Sequence, residues 1–409
     1  MPIQSLQVAL NSSRAASTVI ETLQASGFEA YLVGGCVRDQ LLGSRPKDFD
    51  VATNATPEQI KPLFDRCILI GKRFRLAHVY FGREMIEVAT FRGHQEDSEH
   101  QLHSEDTGMI LRDNHFGTIE EDAIRRDFTV NALYYNPTTQ TVLDYCGGLE
   151  DIQKRRLKLI GDPQVRFRED PVRMLRAVRF ATKLNLQLEP EVQSGILELS
   201  HLLNPIAPGR LFDEYGKFFL HGLAQKNFEA LKKYRLLEYL LPTAAHAKPH
   251  SMWLQALKNT DERLASGKGI NPIFLISVLL WHPYQTLKSR WIEEGLDPPT
   301  AETDAANRVI ENQVRRTAFP KHLGMMMREM WQLQRLLEMR KGRMIEPVLT
   351  HPRFRAAYDL LLLRGESGEV SSEICAFWTE IQTEPEAVRA GRIQALLRKE
   401  PKRHRRSKR

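Results

Sequence analysis

The feature that most constrains the fold is a change in hydrophobic periodicity near residue 122 of this 409-residue chain. Before it, short alternating runs predict strands at 31–33, 49–52, 67–70, 77–81 and 85–91, with helices at 13–25 and 37–42. After it, a 3.6-residue period predicts helices over 121–134, 171–184 and 190–202. Beyond residue 220, nearly every pattern is helical. We therefore predict an α+β protein with a small mixed-sheet head, followed by an elongated all-α neck and body.

Four segments follow from these patterns. We predict a head at 1–140, a helical neck at 141–215, an all-helical body at 216–397 and a basic tail at 398–409. Eight Lys/Arg and one Glu in the tail account for the whole formal charge of +7. With no apolar residue to pack, the tail is predicted to be disordered and suited to nonspecific contact with nucleic-acid phosphates. A solubility tail without a partner is the alternative.

Several protein classes are excluded by the sequence. The longest strongly apolar run, 273–281, is nine residues long, whereas a membrane-spanning helix needs about twenty. No secretory signal is evident at the N-terminus. Four widely spaced cysteines form neither a Cys-x-x-Cys pair nor a disulfide framework. These features predict a protein of the reducing cytoplasm.

The most informative motif pairs two glycines with two aspartates. Gly34-Gly35 ends a predicted strand and opens a helix that carries Arg38, which would let a main chain approach phosphate oxygens closely. Asp48 and Asp50 follow, alternating about Phe49 on a predicted strand, so that both carboxylates share a face while Phe49 points into the core. Carboxylates at close range suit Mg²⁺. An Asp-x-Asp pair also arises by chance, so the combination is what favours a metal–phosphate site.

Three further groups could complete such a site. Glu87 interrupts an apolar strand, so it is either an exposed residue or a further metal ligand. Asp127 and Asn131 are spaced i, i+4 on a predicted helix and share a face, which also fits a surface ion-pair cluster.

The last group lies on a helix near residue 170. There Asp170 is the expected N-cap, and Arg173 and Arg176 share a face. This is either a capped helix with solvated arginines or an Asp/Arg fork that reads a base edge.

On these residues, the chain resembles the bacterial poly(A) polymerases, in the class II branch of the polymerase-β-like nucleotidyltransferases, which also contains the tRNA CCA-adding enzymes. The superfamily motifs are LVGGCVRD (32–39), KDFDV (47–51), RRDFTVN (125–131), DYCGG (144–148) and EDPVRMLRAVRF (169–180). The poly(A) branch is indicated by GKRFRLAH (71–78), IEVATFRGH (86–94), LRDNHFG (111–117), PRFRAAYDL (352–360) and the basic tail.

The resemblance implies template-independent transfer of AMP from ATP to single-stranded RNA 3′ ends, by a two-metal mechanism, with a part in mRNA turnover. Asp48 and Asp50 would hold two Mg²⁺ ions, with Mn²⁺ as an alternative ion, and Glu87 could complete the metal cluster. Asp127 would be a further catalytic acid. The triphosphate would be held by Gly34, Gly35 and Arg38. The nucleotide pocket would be shaped by Asn131, Asp170, Arg173, Arg176 and Arg179, with Asp170 and Arg173 reading the base.

Three other functions remain open from sequence. A tRNA CCA-adding nucleotidyltransferase would accept CTP as well as ATP. A noncatalytic RNA-binding protein on this fold would not need the aspartate pair. A sugar or antibiotic nucleotidyltransferase would share that pair but would need neither the long helical body nor the basic tail.

Overall fold

A computed structural model describes residues 3–71, 75–93, 115–245 and 251–399. The basic tail from residue 400 onward, and parts of the 71–78, 86–94 and 111–117 stretches, lie outside these described residues. The chain forms two compact units, Met1–Pro205 and Ile206–Arg409. None of the helices in the described ranges combines the length and the hydropathy that a bilayer-spanning segment requires.

The first unit is built on a mixed sheet in the strand order β1-β8-β7-β2-β3-β6-β5-β4. Of the described strands in this sheet, only β3 and β6 pair in parallel. The strands are β1 (Gln4–Gln7), β2 (Ala30–Val33), β3 (Asp50–Thr53), β4 (Cys67–Ile70), β5 (Leu76–Phe81), β6 (Glu84–Thr90), β7 (Leu133–Asn136) and β8 (Thr141–Asp144). A separate two-stranded parallel ribbon pairs β9 (Arg156–Leu157) with β10 (Gln187–Leu188).

Helices of the first unit cover the sheet and continue beyond it. They are α1 (Arg14–Ala25), α2 (Gly35–Leu41), α3 (Pro57–Ile60), α4 (Ile119–Arg125), α5 (Gly148–Gln153), α6 (Pro163–Glu169), α7 (Val172–Leu184) and α8 (Pro190–Leu199), with 3₁₀ turns at Lys61–Leu63, Thr129–Asn131 and Ser200–Leu203. Ser13 caps α1, whose apolar stripe, which includes Val19 and Leu23, is buried.

The second unit is all-helical throughout its described residues, which agrees with the pattern beyond residue 220. Its helices are α9 (Pro208–Phe219), α10 (Ala224–Lys233), α11 (Leu237–Leu240), α12 (Pro242–Ala245), α13 (Ser251–Ala265), α14 (Pro272–Leu279), α15 (Trp281–Glu293), α16 (Pro298–Arg316), α17 (Lys321–Met339), α18 (Gly342–Leu349), α19 (Phe354–Glu366), α20 (Ser372–Ile381) and α21 (Glu386–Lys399).

The predicted helix over 121–134 is wrong. Helix α4 ends at Arg125, a 3₁₀ turn covers Thr129–Asn131, and β7 begins at Leu133. The apolar residues of this stretch serve three different environments, so their spacing imitates a single helix. The β7–β8 hairpin also continues the sheet to Asp144, past the predicted end of the head at residue 140. The separate neck remains a prediction.

The turn after β8 explains the DYCGG sequence. The buried Asp144 carboxylate accepts four main-chain N–H groups, those of Cys146, Gly147, Gly148 and Leu149. A Cβ on Gly148 would overlap the Thr129 carbonyl oxygen. This motif therefore packs the start of α5 tightly against the 3₁₀ turn at 129–131.

Gly148→Ala is expected to lower the free energy of unfolding by about 1–3 kcal/mol, because the methyl group would force the Thr129 main chain away. Urea denaturation followed by circular dichroism measures this. Gly209→Ala is the control, since its added Cβ meets no atom within 4 Å. A Gly148→Ala protein as stable as wild type would contradict the packing argument.

Candidate active site

Asp50 lies opposite a second carboxylate on the neighbouring strand. It is the first residue of β3, and the parallel register pairs it with Glu87 on β6. Asp48 precedes the strand and is exposed, in chain without regular secondary structure. The prediction that Asp48 lies on the strand is therefore wrong. Strand β2 ends at Val33, which pairs with Asp50, so it offers Asp48 no further partner.

Phe49 also differs from its predicted place. Its side chain is half-buried and lines a surface cavity together with residues such as Leu10 and Lys47, rather than packing in the core. With no strand pairing at this position, the main chain does not direct Phe49 into the sheet's buried face.

The carboxylates crowd one another. Burial is the largest cause that raises the pKa of Asp50, and together with the nearby charges of Glu87 and Asp48, and against the opposing charge of Arg126, it brings the pKa to about 6. A half-buried anion beside two other anions fits a hard divalent cation, which replaces repulsion with attraction. The donor set of carboxylate oxygens therefore fits the implied metal.

Glu87 is also flanked by a histidine. His78 on β5 is its register partner on the other side, and its Nε2 lies 3.4 Å from a Glu87 carboxylate oxygen. Within the described part of the chain, no three Asp, Glu, His or Cys side chains gather closely enough to hold an ion as they stand. Backbone register places Glu87 beside Asp50, and its role as a metal ligand remains a prediction.

Asp50→Asn is expected to raise the melting temperature of the metal-free protein by a few degrees at pH 8 and to change it little at pH 4. The folded-state pKa of about 6 exceeds the ordinary 3.8, so the folded chain binds the extra proton between these values. Stability is therefore lost as pH rises through this window, and the ionised carboxylate remains costly above it. A neutral amide removes that cost.

Thermal unfolding in excess chelator measures this effect. Asp65→Asn, at an exposed aspartate just before β4, is the matched control and should leave the melting temperature unchanged. Equal or lower stability of Asp50→Asn at pH 8 would contradict the crowding of carboxylates.

The Gly-Gly turn brings the main chain close to an arginine that the sequence analysis did not assign. Gly34 caps α2 with φ +72°, and a Cβ there would lie 3.6 Å from Arg126 Nη1. Arg126 is held by Asp122 and by the Tyr134 hydroxyl. Because Arg126 also opposes the pKa rise of Asp50, it lies within electrostatic range of both glycine turn and carboxylates. The sequence signal that could have identified Arg126 was its position in the RRDFTVN motif.

Five side chains form a closed circuit beside this turn. Arg38 Nη1 donates to Asn131 Oδ1 at 2.5 Å, and Asn131 Nδ2 donates to Asp127 Oδ1 at 3.0 Å. Asp127 Oδ2 accepts two bonds from Arg176, at 2.9 and 2.5 Å. The guanidinium groups of Arg38 and Arg176 both lie over the ring of Phe180, at 5.2 and 5.3 Å. The circuit joins α2, the 127–131 turn and α7.

Phe180 is the residue that the sequence analysis missed here. Arg179 also lies over its ring, at 4.6 Å, so three guanidinium groups share one buried aromatic side chain. Cation–π attraction partly offsets the repulsion among these arginines. The i, i+4 spacing of Arg176 and Phe180 on one helix was a readable signal.

The contacts within this circuit indicate what Arg38 and Asp127 do in this structure. Arg38 is only 3% exposed and bonds Asp39 as well as Asn131, so it positions its neighbours. Burial would raise the pKa of Asp127, but Arg176, Asn131 and the Phe128 amide hold it below its ordinary value. Both oxygens of Asp127 are engaged within the circuit. Its catalytic role, and the triphosphate role of Arg38, remain predictions.

Arg173, one of the two predicted base readers, is held by its neighbours. Its Nη1 donates to Glu169 and to the Arg166 carbonyl, both at 2.8 Å. Asp170 is not the N-cap of α7 as predicted: the helix begins at Val172, one residue later than predicted, so Pro171 holds the N-cap position, and an Asp170 oxygen accepts the Val172 amide at 3.2 Å. Base reading by Asp170 and Arg173 remains a prediction.

Asp127→Asn is expected to lower the free energy of unfolding by about 2 kcal/mol, because Arg176 loses the charged acceptor of its two hydrogen bonds. Urea denaturation at pH 7 measures it. Glu150→Gln is the control, since it weakens only exposed pairs with Lys154 and Arg156. Equal losses in the two variants would contradict a structural role for the circuit.

Comparison with known proteins places this site in a family. The chain matches the families described as "Poly A polymerase head domain" over residues 30–158, "Probable RNA and SrmB- binding site of polymerase A" over 185–248, and "Polymerase A arginine-rich C-terminus" over 294–409. It is 45% identical to Poly(A) polymerase I of Salmonella typhimurium, with 97% of this chain and 88% of that protein covered. A CCA-adding enzyme of Lactobacillus helveticus is 36% identical over 54% of each chain.

Solved structures share the fold. A tRNA-processing enzyme in an apo form superimposes with a TM-score of 0.65 at 23% identity, covering 96% of this chain and 100% of the other. A tRNA nucleotidyltransferase complexed with a primer tRNA and an incoming ATP analog gives 0.60 at 25% identity, covering 89% and 98%. The carboxylate pair and the Gly-Gly turn agree with the 45% identity over 97% of the chain, which establishes that this chain belongs to the poly(A) polymerase family.

Proposed function

We propose that this chain extends RNA 3′ ends with AMP from ATP, without a template, using Asp48, Asp50 and Glu87 to hold two Mg²⁺ ions. The observation that carries the activity is the 45% identity over 97% of the chain to a relative named Poly(A) polymerase I. The observation that supports the ligand set is the register pairing of Asp50 with Glu87, beside the exposed Asp48.

The bound cations would polarise the α-phosphate, activate the RNA 3′-hydroxyl and stabilise the leaving pyrophosphate. The chain's own residues would orient the two substrates. Gly34 would let the main chain approach the triphosphate, and Arg126 would add positive charge beside it. Arg176 and Arg179 would extend that charge, held in place by Asp127 and Phe180.

Adenine selection would fall to α7 and the residues just before it. Because no template pairs with the incoming base, donors and acceptors of the protein must recognise it. Asp170 and Arg173 are the proposed readers. Since Arg173 bonds Glu169 here, reading a base would require it to share or exchange that partner.

RNA binding is proposed for the helical unit and the tail. The families that match residues 185–248 and 294–409 are described as an RNA-binding site and an arginine-rich C-terminus. Nonspecific phosphate contacts suit an enzyme whose substrates share only a free 3′ end.

Wild-type protein incubated with a short single-stranded RNA, Mg²⁺ and each NTP separately should give a long ladder on a sequencing gel with ATP alone. Asp48→Ala and Asp50→Ala should each lower the rate about a hundredfold or more, because charge at the reacting phosphate loses its support. Asp65→Ala is the matched control.

Near-normal rates in either aspartate variant would overturn the metal assignment. Addition limited to a few C and A residues, strongest on tRNA lacking its end, would favour a CCA-adding enzyme. The 36% identity to a CCA-adding enzyme over half the chain keeps this second function in the test.

A further inference from the structure

On one face of the sheet, the carboxylates of Asp50 and Glu87 lie between a covered part and an uncovered part. Strand registers place Asp50, Glu87, His78 and Ile68 in one row across β3, β6, β5 and β4. On the β2 and β7 side, this face is covered: Val33 and Ala52 pack against Ile119, Ala123 and Tyr134. The side of the row over β4, β5 and β6 has no such cover among the described residues.

The open side carries apolar side chains at unusual exposure. Ile68 and Ile70 on β4 are 54% and 43% exposed, and Met85 on β6 is 40% exposed. His78 and Tyr80 lie between them on β5 and are half-buried. We call these five residues, with Arg66, the β4–β6 face. Apolar residues that are exposed next to one another indicate a binding surface, whereas single exposed apolar residues are common on any protein surface.

The chemistry of the β4–β6 face matches single-stranded nucleic acid. The rings of His78 and Tyr80 lie 6.5 Å apart, and the guanidinium of Arg66 lies over the Tyr80 ring at 5.8 Å. Bases of any sequence can stack on aromatic and apolar surfaces. An exposed arginine can donate hydrogen bonds to phosphate or stack on a base.

The geometry of phosphoryl transfer indicates which ligand would occupy the β4–β6 face. The attacking and leaving oxygens lie roughly in line on opposite sides of the transferred phosphorus. Gly34, Arg126 and the Phe180 arginines all lie on the β2 side of Asp50 or on elements that pack there. A triphosphate held there directs its pyrophosphate toward that side. The attacking 3′-hydroxyl must then approach from the opposite side.

We propose that the β4–β6 face binds the 3′-terminal nucleotides of the RNA that is being extended. This inference rests on the proposed function, because it takes the direction of the RNA from the placement of ATP. The face is separate from the region described as an RNA-binding site in the family, residues 185–248. It would hold the reacting end, whereas distant contacts would hold the rest of the strand.

A charge series at Ile68 tests the proposal in the full-length protein. Ile68→Lys should lower the KM for a short oligo(A) primer and Ile68→Glu should raise it, each by about threefold or more, with the KM for ATP unchanged. One added phosphate contact should also steepen the salt dependence of primer binding, measured by fluorescence anisotropy without ATP, by about 0.7 in Ile68→Lys.

Ile3, just before β1 at the opposite edge of the sheet, supplies the matched control, because it is an isoleucine of the same unit with 56% exposure. Ile3→Lys and Ile3→Glu should leave the primer KM unchanged. Tyr80→Ala adds a test of stacking and should weaken primer binding about fivefold or more.

The outcomes separate the two proposals. A wild-type protein that fails to add AMP overturns the proposed function. A wild type that adds AMP while both Ile68 variants bind primer as it does overturns the β4–β6 face alone. Equal shifts in the Ile3 pair would reduce the effect to net charge and would also overturn it. A protein partner captured at this face, with primer binding unaffected, would assign the surface to that partner.

Discussion

The pairing of β3 with β6 is the constraint on which the site depends. It places Asp50 beside Glu87 by main-chain hydrogen bonds, irrespective of side-chain preference. Burial first, and then the like charges of Glu87 and Asp48, raise the pKa of Asp50 to about 6, so this placement is unfavourable. Rigid strands can hold such an arrangement because burial of the opposite faces, through Val51 and Val88, stabilises them.

Arginines present the same problem with the opposite sign. Arg38, Arg176 and Arg179 share the ring of Phe180, and Asp127 and Asp39 supply the negative charge that keeps them together. Neighbouring acidic and basic clusters are each unfavourable alone. In the proposed function, ATP with Mg²⁺ would complement both clusters.

Much of the head could be predicted from the sequence. The alternation in 85–91 predicted a strand with Glu87 on the less buried side, and β6 confirms it. The Gly-Gly turn before α2 also follows from local residue chemistry. The prediction of a single helix over 121–134 was wrong because α4, a 3₁₀ turn and β7 follow one another there. Together they give the apolar residues a helical spacing. Short elements contribute too few residues for their period to be read.

The sequence by itself determined the residue types of the site, their order along the chain and the division into a mixed α/β part and an all-helical part. Those properties depend on local patterns and on motifs within a few residues. Only the tertiary structure decided that Glu87 faces Asp50, that Arg173 pairs with Glu169, and that Phe180 gathers three arginines. Strand order and side-chain partners depend on contacts between distant segments, which no local period encodes.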